Sequence, residues 1–296
     1  MDAADLRVFE AVARLGGMSR AATELNTVQS NVTSRIRALE EELGTKLFHR
    51  TNRGVALTAA GRRLLPYAGR IRRLLADARR AVDDDGTPRG PLTIGSLEST
   101  AANRLPRILA AYAADHPDVD LVLTPGTTGE LIERTLNHDV DGAFVCGPAD
   151  HPDLEEETVF REELVIATAR MRAACDLTEI LRQRRLKIVV LRAGCSYRRR
   201  LEDVLARRGI VGLRQLEFGT IDGILGAVAA GIGLTLLPRS LVAARERAGE
   251  IAIHSLSPVE AEVATVFIRP RAAPISTALA AFLSFVRVND ANIAAE

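Results

Sequence analysis

The chain has 296 residues, of which 47% are hydrophobic and 26% charged. That length predicts about two domains with ample core, and that hydrophobic content excludes a disordered chain. The formal net charge of +1 excludes a chain that is basic or acidic from end to end, but not two parts of opposite sign.

Further totals narrow the function classes. No run of eighteen apolar residues exists, so no helical membrane span is expected. Asp2, Asp5 and Glu10 stand where a secretory leader would be basic, which predicts a soluble cytoplasmic protein. Cys146, Cys175 and Cys195 form no CxxC pair, and the five histidines fall in no metal spacing, so neither a metal nor a cofactor is expected. No GxSxG, Walker A loop or GxGxxG after a strand is present, so an enzyme is not expected. Trp is absent and aromatics are 4%, which argues against a platform that stacks bases.

The charge is in fact divided. Residues 1–82 hold 15 basic and 8 acidic side chains, a balance of +7. The break falls in AVDDDGTPRGPLTIG, where three acids and then Gly86, Pro88, Gly90 and Pro91 predict a helix stop and a linker. A small basic module followed by a larger, mildly acidic half is the electrostatic footprint of a nucleic-acid-binding domain joined to something else.

In chain order, Leu6, Phe9, Val12, Ala13 and Leu15 predict a first helix that ends at Gly16-Gly17. Ser19 is expected to cap a second helix, SRAATEL, with Ala21, Ala22 and Leu25 inward. After Asn26-Thr27, QSNVTSRIRALEEELG predicts a third helix whose buried stripe is Val32, Ile36, Leu39 and Leu43. Two helices joined by a short turn, the second polar and basic at its start, predict a helix-turn-helix that puts that start into a major groove. Val28 cannot cap, so Thr27 is expected to. Leu47-Phe48 and Val55/Leu57 predict two short strands around Thr51-Asn52-Arg53-Gly54, a wing carrying Arg50 and Arg53 toward phosphate or minor groove. The expected DNA contacts are Thr27, Gln29, Ser30, Asn31, Thr33, Ser34, Arg35, Arg50 and Arg53, against the plain alternative of a solvated helix face.

The run SRAATELNTVQSNVTSRIRALEEELGTKLFHRTNRGVALTAAGRRLL resembles the winged helix-turn-helix of LysR-type transcriptional regulators. The Ala-Ala pair, Ile-x-x-Leu-Glu-x-x-Leu-Gly, Leu-Phe-x-Arg and Leu-Thr-x-Ala-Gly all match. Two departures stand out: Val28-Gln29-Ser30 where the family often has Ser-Gln-Pro, and Asn31 where it usually has Ala. The resemblance implies double-stranded promoter or operator DNA as a partner, self-association as a dimer or tetramer, and possible contact with RNA polymerase.

Thr58 can cap a helix over 59–85, and Leu64, Ala68, Ile71, Leu75, Ala78 and Val82 follow one another at spacings of 4, 3, 4, 3 and 4. That heptad seam predicts dimerisation unless the stripe packs on its own domain. Pro66 predicts a kink or irregularity within it.

From residue 91 onward strands and helices alternate, predicting parallel sheet with helices on its faces. Predicted strands are LTIGS, VDLVLTPG, VDGAFVCG, ELVIATA, KIVVLRAG, LRQLEFGT and ATVFIRP, with one amphipathic helix over Ala101–His116 and a terminal one over Ile275–Val286. The fold class expected is α/β: a winged helix-turn-helix over 1–58, the linker helix, and a two-lobed, periplasmic-binding-protein-like effector domain over 91–296. Lobe one is expected at about 91–163 and 265–296, and lobe two at about 164–264.

Ligands of open α/β sheets bind where strands end and helices begin. That rule selects Glu98, Ser99, Thr100, Thr127, Thr128, Cys146, Gly147, Cys195, Ser196, Thr220, Ile221 and Asp222 as effector contacts. Hydroxyls and backbone amides at helix starts favour a small anionic effector, although each hydroxyl alone could simply be a cap. AVAAGIGLTLLP and the two-lobe pattern resemble the LysR effector domain, so the resemblance spans essentially the whole chain. Cys195, at a helix start before Arg198, Arg199 and Arg200, is expected to have a lowered thiol pKa, which leaves redox sensing open. The other alternative is a cytoplasmic solute-binding module whose basic part serves only for dimerisation.

Overall fold

A computed structural model describes residues 1–51, 54–170, 177–181 and 187–293. The chain forms two compact units, Met1–Asp85 with Asn137–Asp139, and Gly86–Leu136 with Val140–Glu296.

The first unit opens with α1 (Ala3–Leu15), α2 (Met18–Glu24) and α3 (Gln29–Glu42). Asp2 caps α1 by accepting from the Asp5 amide at 2.8 Å, and Asp5 returns the bond to the Asp2 amide. Gly16, at φ 66°, ends it. Leu6, Phe9 and Val12 of α1 meet Ala21 and Ala22 of α2 and Val32, Ile36 and Leu39 of α3. Ala21 and Ala22 face inward, as the sequence predicts. Each fully buried Leu, Phe or Val here contributes roughly 1.5–3 kcal/mol.

Three local expectations are corrected. Ser19 does not cap α2: Gly17 is the N-cap, without a side-chain bond. Thr27 does not cap α3 either, because Val28 holds that position and the Thr27 hydroxyl accepts from Asn31 Nδ2 instead, at 2.9 Å. Leu43 is not in the buried stripe. It is the C-cap residue of α3 and is 38% exposed. The buried neighbour is Glu40, which a hydrophobic-periodicity rule passes over because it is charged.

The wing is β1 (Phe48–Thr51) paired antiparallel with β2 (Gly54–Leu57). Phe48 stacks obliquely on Phe9, ring centroids 5.3 Å apart. Gly54 has φ 131°, and a Cβ there would lie 2.4 Å from the Gly16 carbonyl oxygen, so only glycine fits the turn as built. Glu40 ties the wing to α3. Its carboxylate accepts from the amides of Leu47 (2.9 Å) and Phe48 (3.2 Å) and from Lys46 Nζ (2.7 Å).

Helix α4 (Ala59–Asp83) is capped by Thr58, which accepts from the Gly61 amide at 3.0 Å. It continues past Pro66 as one element. The seam divides along its length. Ala68 is buried, and Leu64 and Ile71 pack on the unit's own core, whereas Leu75, Ala78 and Val82 are exposed, together with Leu74 and Tyr67. The expected single stripe is therefore half consumed at home, because α4 lies along α1 for its first turns.

The second unit contains β3 (Gly90–Ser96), α5 (Glu98–Asn103), α6 (Leu105–Asp115), β4 (Val119–Pro125), α7 (Thr128–Leu136), β5 (Gly142–Cys146), β6 (Leu154–Ala169), α8 (Leu177–Leu181), β7 (Lys187–Leu191) and α9 (Ser196–Arg207). There follow β8 (Arg214–Phe218), α10 (Ile221–Ala229), β9 (Thr235–Pro238), α11 (Arg239–Arg247), β10 (Ile251–Ser255), α12 (Pro258–Ala261), β11 (Glu262–Pro270) and α13 (Thr277–Ile293). The expected helix over Ala101–His116 is two helices. Pro106, near the start of α6, has no N–H for the carbonyl four residues back, so the chain breaks at Arg104.

The sheet is mixed rather than purely parallel. β3 pairs parallel with β4 and β5, and β7 with β8, but β11 pairs antiparallel with β5 and β6, as do β9 and β10 with β6. The long strand β6 is the reason. Leu154–Glu163 run along β11, while the stretch from Leu164 to Ala169 pairs with β9 and β10. One core gathers Leu164, Ile166, Leu201, Ile224 and Leu236. Another gathers Leu92, Tyr112, Phe144, Phe160 and Phe282.

Glu40→Ala leaves the Leu47 and Phe48 amides buried and unpaired, which should destabilise the first unit by roughly 2–4 kcal/mol. Calorimetry would check this. Burial pushes the Glu40 carboxyl up, but Lys46 and the two amides outweigh it and hold it below its ordinary value. The stability it supplies is thus present above the unfolded carboxylate pKa and lost as pH falls through the lower folded value. Acid titration of Glu40→Gln should lack that loss.

Candidate functional site

Two places concentrate polar chemistry. The first is the exposed face of α3 with its surroundings. Gln29, Ser30, Asn31 and Ser34 are exposed, and Thr27, Thr33 and Arg35 half-buried. Most of these groups already have partners. Ser19 Oγ donates to Gln29 Oε1 at 3.0 Å, Thr33 Oγ1 donates to the Gln29 carbonyl at 2.9 Å, and Asn31 bonds Thr27. Arg35 pairs with Asp5 at 2.8 Å, which ties α3 to α1. A groove of about 820 Å³ lies between α2, α3 and the wing, lined by Arg20, Gln29, Thr33, Arg37, Lys46 and His49 among others. Arg20, Arg37, Lys46 and His49 are additions to the expected set. Arg50 lies on β1, its side chain outside the described residues, as is the whole of Arg53.

The second place is in the second unit, where β3, β4, β5, β7 and β8 end. A cavity of about 50 Å³ is lined by Leu97, Glu98, Ser99, Pro125, Gly126, Thr127, Leu191, Arg192, Cys195, Ser196 and Tyr197. That is room for a few water-sized groups. A wider hollow of about 420 Å³ is lined by Thr128, Cys146, Gly147, Ser196, Arg199, Arg200 and Arg207, with Asp203 and Glu260. Ser196 borders both, and its hydroxyl lies 3.0 Å from Thr128 Oγ1.

Hydrogen bonds cross between the segment 91–163 and the segment 164–264 around these spaces. Glu98 Oε1 accepts from the Ile221 amide at 3.1 Å. Asn103 Nδ2 donates to Ser240 Oγ at 2.8 Å. Ser99 Oγ donates to the Tyr197 hydroxyl, which donates to Glu162 Oε2, each at 3.2 Å. Arg104 then bonds the other Glu162 oxygen at 3.4 Å while lying over the Phe160 ring. Burial pushes the Glu162 carboxyl up, only partly offset by Arg104 and Tyr197. It drives the Tyr197 hydroxyl far up too, reinforced by the Glu162 charge.

The sequence-selected residues do not all converge. Glu98, Ser99, Thr127, Cys195 and Ser196 line the small cavity, and Thr128, Cys146 and Gly147 the wider one. Thr100 is buried beside them in sequence, with its hydroxyl unpartnered among the described residues. Thr220 caps α10 by accepting from the Gly223 amide, and Ile221 gives its amide to Glu98. Asp222 faces solvent, 92% exposed, and pairs with Arg245. Tyr197, Glu162, Arg104 and Arg192 are residues that sequence logic missed. An amphipathic helix hides Tyr197 among its buried positions, and a lone Glu in a strand carries no motif.

The expectation for Cys195 is overturned. Burial pushes its thiol up, and the amides of Arg198 and Tyr197 only partly counter this. Arg198 is instead turned to Glu217, Gln215 and Glu202, and Arg200 to the carbonyls of Val259, Glu260 and Glu262. Burial pushes the Cys146 thiol up as well. Cys175 lies outside the described residues.

Tyr197→Phe strands the Glu162 oxygen, and should cost about 1–3 kcal/mol in the second unit by thermal unfolding. Because the folded Glu162 pKa is raised, its favourable contribution is full below the unfolded carboxyl pKa and is lost as pH rises through the folded value. Glu162→Gln should therefore flatten the decline in melting temperature seen as the wild type is taken upward from acid pH.

Comparison with known proteins identifies the family to which each part of the chain is similar. Residues 3–62 match the family described as "Bacterial regulatory helix-turn-helix protein, lysR family", and residues 85–290 match "LysR substrate binding domain". The chain is 42% identical over 282 residues to the HTH-type transcriptional regulator GltR of Bacillus subtilis, covering 95% of each. It is 44% identical over 292 residues to YusT of the same organism, covering 98% of this chain and 97% of the relative. Among solved structures, full-length CbnR complexed with its target DNA superposes with a TM-score of 0.67 at 26% identity, covering 98% of this chain and 100% of that one. Full-length OxyR from Pseudomonas aeruginosa, at 20% identity and TM-score 0.69, shares the fold. With a winged helix-turn-helix at one end and a ligand-binding type of α/β domain at the other, the chain belongs to the LysR family of DNA-binding transcriptional regulators.

Proposed function

We propose that this regulator reads its operator through the start of α3 and the wing, as a dimer joined by the exposed part of α4, under control of a small anionic effector held where the strands of the second unit end. Polar crossings around the cavity where these strands end are the observation that carries the effector half. A molecule entering there must displace or join the Glu98–Ile221, Thr128–Ser196 and Ser99–Tyr197 bonds, so its binding changes how the two segments meet.

Of the four helix starts nearby, two are occupied by the chain's own carboxylates, Glu98 on the Ile221 amide of α10 and Glu130 on the Thr127 amide at α7, and α5 carries the acidic Glu98 in its own first turn, which disfavours an anion there. Helix α9 has no side-chain cap, and Arg192 lines the same cavity. We therefore assign the anionic group of the effector to the start of α9. Effector control by oxidation of Cys195 is the weaker alternative, since a half-buried thiol whose pKa is raised is a poor nucleophile.

In DNA recognition, Gln29, Ser30 and Ser34 are the proposed base contacts, and Thr27, Asn31, Thr33, Arg35, Arg50 and Arg53 the supporting and phosphate contacts. CbnR, a relative in fold at 26% identity, was solved on its target DNA, and Gln29, Ser30 and Ser34 of this chain are exposed.

A gel shift with the promoter regions flanking the gene tests the DNA half. A specific shift that weakens steeply with salt is expected, and its absence on every fragment overturns it. Leu75→Asp with Val82→Asp should convert the protein to a monomer in sedimentation and abolish that shift. Against a panel of small carboxylates, one compound should raise the melting temperature of wild type, and Arg192→Ala should weaken that rise by roughly tenfold in ligand concentration, the range expected for one lost charge-assisted bond. Stabilisation by amines alone would overturn the anionic assignment.

A further inference from the structure

The hydroxyl of Ser19 has no role in its own helix. Gly17 is the N-cap of α2, and Ser19 contributes only its backbone carbonyl there, which accepts from Thr23 Oγ1 at 3.2 Å. Instead the hydroxyl crosses to the next helix and donates to Gln29 Oε1 at 3.0 Å. Gln29 is the first residue of α3 and exposed. A glutamine in that position, left alone, samples many rotamers and both faces of its amide, and must surrender that freedom to meet a base.

The bond limits that freedom. As placed, the Ser19 hydroxyl donates to Oε1, which leaves the NH₂ group of the amide uncommitted to it. It also fixes the amide plane, because Ser19 is held on one helix and Gln29 on another, both anchored in one core through Ala21, Ala22 and Val32. The carbonyl oxygen has two lone pairs, of which Ser19 uses one. With Ser19 on the lone pair remote from the NH₂ group, the other lone pair and the NH₂ group stay together on one edge of the amide. That is the acceptor-plus-donor pattern matching the N6 amino group and N7 of adenine in the major groove.

We propose that Ser19 is a positioning residue for base reading, one that orients the Gln29 amide so that it selects adenine. This rests on the proposal above that Gln29 faces a base. Ser19 itself touches no DNA base in this scheme and acts through Gln29.

Full-length wild type, Ser19→Ala, Ser19→Thr, Gln29→Ala and the Ser19→Ala/Gln29→Ala pair are each used to select duplexes from a randomised library, and the preference at every position is compared. Gln29→Ala should flatten one base pair in each half-site, and that pair should carry adenine in the wild-type selection. Ser19→Ala should reduce the preference at that same pair by roughly 3- to 10-fold, part of the roughly 5- to 150-fold that a bidentate amide provides. Ser19→Thr, which keeps the hydroxyl, should restore it, and the double variant should be no worse there than Gln29→Ala. The salt dependence of binding should be unchanged throughout, because no phosphate contact is removed.

Full retention of the preference in Ser19→Ala, an equal weakening at all positions, or a base other than adenine at the Gln29 pair overturns the role of Ser19. If Gln29→Ala changes no position at all, the base contact of Gln29 itself is refuted, and with it this inference.

Discussion

Strand β6 serves three hydrophobic cores at once, and the second unit is organised by that constraint. Its first ten residues, Leu154–Glu163, pair along β11 beside Phe144 and Phe267, and its remainder pairs with β9 and β10 beside Ile188 and Leu236. A continuous strand cannot shift register on one side without moving every side chain to the wrong face. Changes in how the two sides meet must therefore occur away from the ladder, where the loops after β3, β4, β5 and β7 face each other. What holds them there is polar and local: hydroxyls, one carboxylate on one amide, and the Tyr197 hydroxyl between Ser99 and Glu162. Bonds of this kind exchange readily with a ligand's own, whereas a merged apolar core would not.

Glu162 sits at the end of the portion of β6 that pairs with β11, next to the change of partner. A buried carboxyl at that place is tolerable only because Arg104 and Tyr197 both bond it. It links the cavity wall to the shared strand by one hydrogen-bonded chain, Ser99 to Tyr197 to Glu162 to Arg104. The elements that line the cavity and the strand shared between the cores are therefore joined by bonds of 3.2 to 3.4 Å.

The first unit solves a different problem. The surface proposed to read DNA has to be polar yet rigid enough to select. Short bonds inside the surface supply the rigidity: Ser19 to Gln29, Asn31 to Thr27, Thr33 to the backbone, Arg35 to Asp5. Beneath it Glu40 joins α3 to the wing through two backbone amides, so the helix and the hairpin that flank a groove move together.

How much of this is legible in the residues depends on the kind of information each feature needs. Period and punctuation are local, so the helices around Phe9, Val32 and Ala68, the wing turn at Gly54 and the cap at Thr58 all follow from the sequence, as does the charge division hidden in a total of +1. The family is legible for the same reason, since its motifs are contiguous. Partners separated by many residues are not legible. Nothing local distinguishes Glu40 from the exposed Glu41 and Glu42, or Tyr197 from an ordinary core aromatic. Ser19 looks like a cap until α3 is placed beside it, and Arg198 looks like a thiol activator until Glu217 and Gln215 claim it. Packing also decided how the α4 stripe is divided and that Asp222 turns to solvent. The sequence by itself determined which segments fold and what class of regulator they form, because those depend on short-range pattern. Tertiary structure alone decided which polar groups meet, because a hydrogen bond needs its two atoms within about 3 Å and chain order carries no such distance.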